Sequence, residues 1–206
     1  MFAVITDNAS SMRKAVQNMI RNSLCAVHNN CFAHTLQLCV EDGLKSQPEI
    51  TAVIEKFRAI VSVFHHSTVL TESLKKAQET LGIPEKKLVA DVRTRWNSTC
   101  IMLRSAVALL QLIGLALFNS KSKKSPPSEA YCDLARRLIG VLESFEEATT
   151  IASGEEYATV SIVHPLVRHL IYTTTSTTEQ LAPSPAATAM EDMSTGDLQL
   201  TVENFS

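Results

Sequence analysis

Between residues 50 and 64 the apolar side chains Ile50, Val53, Ile54, Phe57, Ile60, Val61 and Phe64 recur at three- and four-residue steps. That spacing puts all seven on one continuous helical face, and a face this long must be covered by other elements. Leu70, Leu74, Ala77 and Leu81 prolong the stripe. Gly82, Ile83 and Pro84 then end it, with glycine as the left-handed cap and proline just beyond. It is the clearest helix in the sequence.

Around this element the chain alternates strand and helix signals. Phe2 to Thr6 reads as an apolar strand that stops at the polar cluster Asp7, Asn8, Ser10 and Ser11. Asp7 therefore stands at a strand's carboxyl end, where open α/β sheets collect ligands and metals. The plainer reading is that Asp7, Asn8 or Ser10 caps the next helix, whose face is Met12, Ala15, Val16, Met19 and Ile20. Leu36, Val40 and Leu44 suggest a second helix, and Lys87 to Val92 a short second strand. A long helix is expected from Asn97 or Ser98 to Phe118. Its apolar end, SAVALLQLIGLALF, covers only 14 residues, against the roughly 18 to 20 that span a bilayer, so a buried helix or a partner-binding surface is expected and a membrane segment is not.

Residues 121–130, rich in Ser, Lys and Pro, read as a linker after a 1–120 unit. Leu134, Leu138, Val141, Leu142 and Phe145 then mark a helix, and Ser161 to Tyr172 another, within a helical segment 131–173. Residues 174–206 are low in aromatics and rich in Ser, Thr, Ala and Pro, and are expected to be a disordered tail.

The net charge of −2 hides an asymmetry. Residues 1–124 carry 16 Lys and Arg against 9 Asp and Glu, a balance of +7, whereas residues 125–206 carry 3 against 12, a balance of −9. A basic first part is compatible with a polyanion, although charge is usually a solvated face. Five cysteines without a regular framework, in a chain with no signal-like N-terminal segment, point to reduced thiols inside a cell.

Two constellations carry chemistry. DVRTRWNST at 91–99 holds the sole tryptophan, Trp96, directly after Arg95 and at a junction entering a helix. Such a tryptophan is ordinarily a packed hydrophobe; exposed beside Arg93 and Arg95, it is also what a single-strand binder uses, with indole on a base and guanidinium on phosphate. CAVHNNCFAH repeats C-x-x-H twice, through Cys25, His28, Cys31 and His34. Four N/S ligands suit tetrahedral zinc, but only Asn29 and Asn30 separate the pairs, too few to wrap an ion. A structural role for Cys31 and His34 is the alternative.

TDNASSM, CFAHTLQL, DVRTRWNST and LIGVLESFEEATTIASGEEYATVSIVHPLVRHL occur in that order over residues 2–172. Together they resemble the hAT-superfamily transposases, especially their domesticated zinc finger BED-type relatives. The resemblance implies an α/β, mostly helical chain: a partial ribonuclease H-like fold of about two strands, with a helical insertion after the RW motif. It matches Asp7 to the second acid of a DDE triad, Cys31 and His34 to the C-x-x-H motif, and Arg95 and Trp96 to the RW motif, whose tryptophan is associated with a flipped base beside the cut.

DDE chemistry uses two divalent ions held by several converging carboxylates. The family's first Asp lies upstream of the TDNAS motif and its final Glu after the insertion, and no matching context for either occurs here. Asp91, before an arginine-rich turn, is expected in a salt bridge. No metal cofactor is therefore expected in this chain, and Mg²⁺ would sit at Asp7 only if partner acids were supplied. The first strands, a BED finger and the dimerisation segment have no counterparts, which suggests a fragment or a domesticated remnant whose sheet keeps an open edge. Three readings follow. The first is an inactive, transposase-derived nuclear regulator touching DNA and a protein partner or a second copy. The second is part of an active Mg²⁺-dependent transposase. The third is a helical interaction module using Ala106 to Phe118.

Overall fold

The stripe on residues 50–64 becomes the central helix of a computed structural model that describes residues 3–7, 9–22, 27–122, 124–154 and 159–179. In chain order the elements are β1 (Ala3–Thr6), α1 (Ser10–Arg21), β2 (Val27–Asn30), α2 (Phe32–Ser46), α3 (Pro48–His65), α4 (Thr68–Thr80), α5 (Trp96–Ala108), α6 (Leu110–Asn119) and α7 (Glu129–Ala152). A 3₁₀ turn (Thr159–Ile162) then leads into α8 (Val163–Glu179). The expected α/β, mostly helical fold is present: helices dominate, and the described residues hold one two-stranded parallel sheet.

α3 starts with Pro48 in its first turn and Glu49 beside the helix's positive end, both favourable there. Its Val53, Phe57 and Val61 are almost wholly buried, and α3 packs against α2, α4, α5 and α7. Met102, Leu103 and Ala106 of α5, Ile113 and Ala116 of α6, and Cys132 and Ala135 of α7 complete one core. Residues 121–130 therefore connect helices that share a core. α7 is entered through Pro126 and Pro127, and the Ser128 hydroxyl caps it by accepting from the Tyr131 N–H at 3.4 Å.

Sequence and structure part at four places. The stripe breaks between α3 and α4 because Phe64 is followed by Leu70, a six-residue step that leaves the face. The Ser67 hydroxyl starts the new helix by accepting from the Leu70 N–H. Gly82, at φ +64°, closes α4 in a Schellman arrangement, with the Gly82 N–H on the Glu79 carbonyl at 3.1 Å and the Ile83 N–H on Gln78 at 2.9 Å. The expected single helix to Phe118 is two, bent by 67° around Leu109. No single described helix is long and apolar enough to cross a membrane. Most of the apolar surface of α6 faces the core, through Leu112, Ile113, Ala116 and Leu117. The helix α8 continues through Glu179, past the start expected for a disordered tail at 174; residues 180–206 lie outside the described residues.

The fourth difference concerns the second strand. It is Val27–Asn30, paired in parallel with β1 in the register Ala3 to Val27 and Thr6 to Asn30. Lys87 to Val92 pairs with no strand among the described residues. Side chains take up backbone groups on it and just before it: Gln78 spans the Lys86 N–H and carbonyl at 2.7 and 3.1 Å, His65 donates to the Leu88 carbonyl at 3.0 Å, and the Ser105 and Ser98 hydroxyls accept from Val89 and Val92. Backbone groups satisfied by side chains need no strand partner, and of the expected inward set Leu88, Ala90 and Val92 only Leu88 is buried.

Candidate nucleic-acid interface

The segment from Asp91 to Trp96 is a tight turn set on the N-terminus of α5. The Arg95 N–H bonds the Val92 carbonyl at 2.8 Å, and Ser98 threads the turn: its hydroxyl accepts from the Val92 N–H at 2.8 Å and lies 2.6 Å from the Arg95 carbonyl. Gln37 of α2 donates to the Thr94 carbonyl at 3.4 Å. Since α2 follows β2 directly, it joins this turn to the sheet end that carries Asp7.

Beneath the turn lies a charge network. Asp91 is in a salt bridge, as expected: its Oδ2 accepts from Arg58 Nε at 2.7 Å and from the Thr99 hydroxyl at 3.0 Å. The Asp91 side chain is only 7% exposed and that of Arg58 18%. Burial pushes the Asp91 carboxyl up, but the Arg58 hydrogen bond and charge, aided by Thr99, outweigh it and hold the group below the usual carboxylate range. Arg58 also donates to Glu55 at 2.8 Å, and Glu55 meets Arg93 at 3.5 Å.

Trp96 is 4% exposed, in the main core cluster and beside Leu44, Ile54, Arg58 and Thr99. This corrects the expectation of an exposed base-stacking indole: a stacking ring must present a face, and this one is used in packing. Trp96 is the plug that seats the turn. Arg93 and Arg95 point outward, Arg93 with a side chain 74% exposed. Two guanidinium groups beside a helix's positive end can meet phosphate oxygens.

The other expected site residues stand elsewhere. Asp7 is exposed at the end of β1, and its Oδ1 accepts from the Ala9 N–H at 3.2 Å. The N-cap of α1 is Ala9, without a side-chain cap, so neither Asp7 nor Ser10 fills that role; Asn8 lies outside the described residues. Among the described residues no group of three or more His, Cys, Asp or Glu is placed to hold a metal. One exposed carboxylate does not fit a two-ion centre, which needs several converging acids.

Cys31 is the N-cap residue of α2, and its N–H continues the sheet ladder to the Thr6 carbonyl at 2.7 Å. His34 is half-buried in the first turn of α2. His28 Nε2 is 2.8 Å from the Thr6 hydroxyl, across the sheet; Cys25 lies outside the described residues.

Sequence reasoning missed Arg58, Glu55 and Thr99. The available signal was Arg58 itself, a charge set on the edge of an otherwise apolar stripe between Phe57 and Ile60.

The chain is a mostly helical domain with a short parallel βαβ unit and an RW turn at the start of α5. Residues 29–141 match the model of the ZBED1 RNase-like helical domain family, and the chain belongs to that family. It is a hAT-derived, ZBED-like protein. It is 32% identical over 181 residues to a "Putative AC transposase" of Zea mays, covering 80% of this chain and 22% of that protein. A "Putative AC9 transposase" of Zea mays is 36% identical over 118 residues, covering 52% of this chain and 14% of that protein. The human "Zinc finger BED domain-containing protein 4" is 25% identical over 166 residues, covering 81% of this chain and 14% of that protein. The chain thus spans about a fifth or less of these relatives.

Proposed function

We propose that this chain is a transposase-derived nuclear protein that contacts DNA backbone through Arg93 and Arg95, does not cut DNA by itself, and serves a regulatory role with protein partners. The observation that carries this reading is the mounting of the turn. Two exposed arginines project from a turn fixed on both sides, by the Arg58–Asp91–Thr99 network below and by Ser98 and Gln37 at its backbone. Rigid mounting lowers the ordering cost of a phosphate contact. The basic balance of residues 1–124 supports the same reading.

A lack of DNA cleavage by this chain is supported by Asp7, which has no converging acids among the described residues and whose carboxylate closes its own turn. The part-of-an-active-transposase reading asks for acids brought to Asp7 by other segments. The interaction-module reading has less surface than its sequence suggested, because Ala106, Leu112, Ile113, Ala116 and Leu117 are consumed by the core, leaving Phe118 and Leu115 outside.

The test is a mobility-shift and denaturing-gel pair on a labelled hairpin-ended duplex and a random duplex, with and without Mg²⁺. Shifted but uncut DNA is expected for both duplexes. Cleavage with Mg²⁺, or no shift at low salt, overturns the reading.

A further inference from the structure

The two outward arginines are not equivalent. Arg95 has no ion pair among the described residues, whereas Arg93 meets Glu55. Glu55 stands on α3, one turn before Arg58, and splits its carboxylate: Oε1 accepts from Arg58 at 2.8 Å and Oε2 from Arg93 at 3.5 Å. Its neighbour Asp91 is enclosed, with a side chain only 7% exposed, whereas the Glu55 side chain is 45% exposed. Asp91 alone already neutralises Arg58, so Glu55 is not needed to balance a buried charge.

We propose that Glu55 is an affinity-setting counter-charge: it occupies Arg93 in the free protein, and a phosphate of bound DNA must displace it. This deepens, and rests on, the proposed DNA contact by Arg93 and Arg95. An exposed ion pair is weak and exchangeable, so a phosphate oxygen can replace the carboxylate on the same guanidinium. Displacement leaves Glu55 bonded to Arg58 alone and sets its freed oxygen beside the incoming phosphate, a like-charge contact that lowers affinity. It also changes the ion balance, because a freed carboxylate attracts a cation while the DNA releases one. The Arg93 contact therefore adds little to the salt dependence while Glu55 is present. The consequence is a binder held deliberately weak, with one arginine always engaged and a second whose engagement is conditional.

The test compares wild type, Glu55→Gln, Arg93→Ala, Arg95→Ala and Glu55→Gln/Arg93→Ala on the labelled hairpin-ended duplex across a salt series, with melting temperature measured for each. Glutamine keeps an acceptor for Arg58, and Asp91 still holds that guanidinium, so Glu55→Gln is expected to fold. It is expected to bind about three- to fivefold tighter at low salt. Its salt slope should steepen by about 0.9, and both changes should vanish with Arg93→Ala. Arg93→Ala alone should cost less than Arg95→Ala alone, a comparison that decides the matter if Glu55→Gln does not fold. Unchanged affinity and slope in Glu55→Gln, gains that persist without Arg93, or a larger loss at Arg93 than at Arg95 overturn the inference while leaving the DNA contact standing. Wild-type protein that does not bind the duplex at low salt overturns both.

Discussion

Asp91 and Arg58 are 33 residues apart in sequence and joined by a 2.7 Å hydrogen bond from Arg58 Nε to Asp91 Oδ2. The bond ties the entry of the RW turn to the middle of α3, so the turn's position is set by the core. Asp91→Asn leaves the Arg58 guanidinium, 18% exposed, without its main counter-charge. Removing one partner of such a pair is expected to lower stability by about 3 kcal/mol. Urea unfolding followed by circular dichroism measures it. A loss below about 0.5 kcal/mol would mean that the pair does not seat the turn.

The same pair fixes an acid dependence. The folded Asp91 carboxyl lies below its ordinary value, so the ionised group's contribution is complete above the unfolded pKa near 4 and fades as pH falls through the lower folded value. The stability difference between wild type and Asp91→Asn should be constant from about pH 7 to 5 and should shrink below about pH 4. A difference that grows toward low pH contradicts this assignment.

Trp96 is the sole tryptophan, so its fluorescence reports on one place. Buried at 4% exposure, it should emit at short wavelength and resist iodide quenching in the free protein, then shift to the red on unfolding. Trp96→Ala should cost about 3 to 5 kcal/mol. A red, readily quenched emission in the folded chain would restore the exposed-indole reading.

Gln78 is 2% exposed and closes on both backbone groups of Lys86. Gln78→Leu keeps the volume but strands that N–H and carbonyl. The expected loss is about 2 kcal/mol, read as a lower urea midpoint with unchanged slope. A neutral result would show that water reaches the Lys86 backbone.

The parts legible in the sequence were those with a local period or a local stop. The α3 stripe, the Gly82 cap and the strand ending at Asp7 all follow from neighbours within a few residues. The bend at Leu109 was illegible because an all-round apolar stretch has no face whose direction can change. Lys87 to Val92 misled for a different reason: alternation does not report pairing, and the partners that distinguish strand from loop, Gln78, His65, Ser98 and Ser105, are not encoded in the alternation. At the candidate site the arginines were visible, but the burial of Trp96 and the link of Glu55 to Arg93 depend on α3 lying under the turn, a long-range fact.

The central claim is that Arg95, on its seated turn, contacts DNA phosphate. It is tested most directly by the slope of log affinity against log salt for wild type and Arg95→Ala on the random duplex. A phosphate contact predicts weaker binding for the variant on every sequence and a slope shallower by about 0.9. Equal slopes and equal affinities for the two proteins would contradict it.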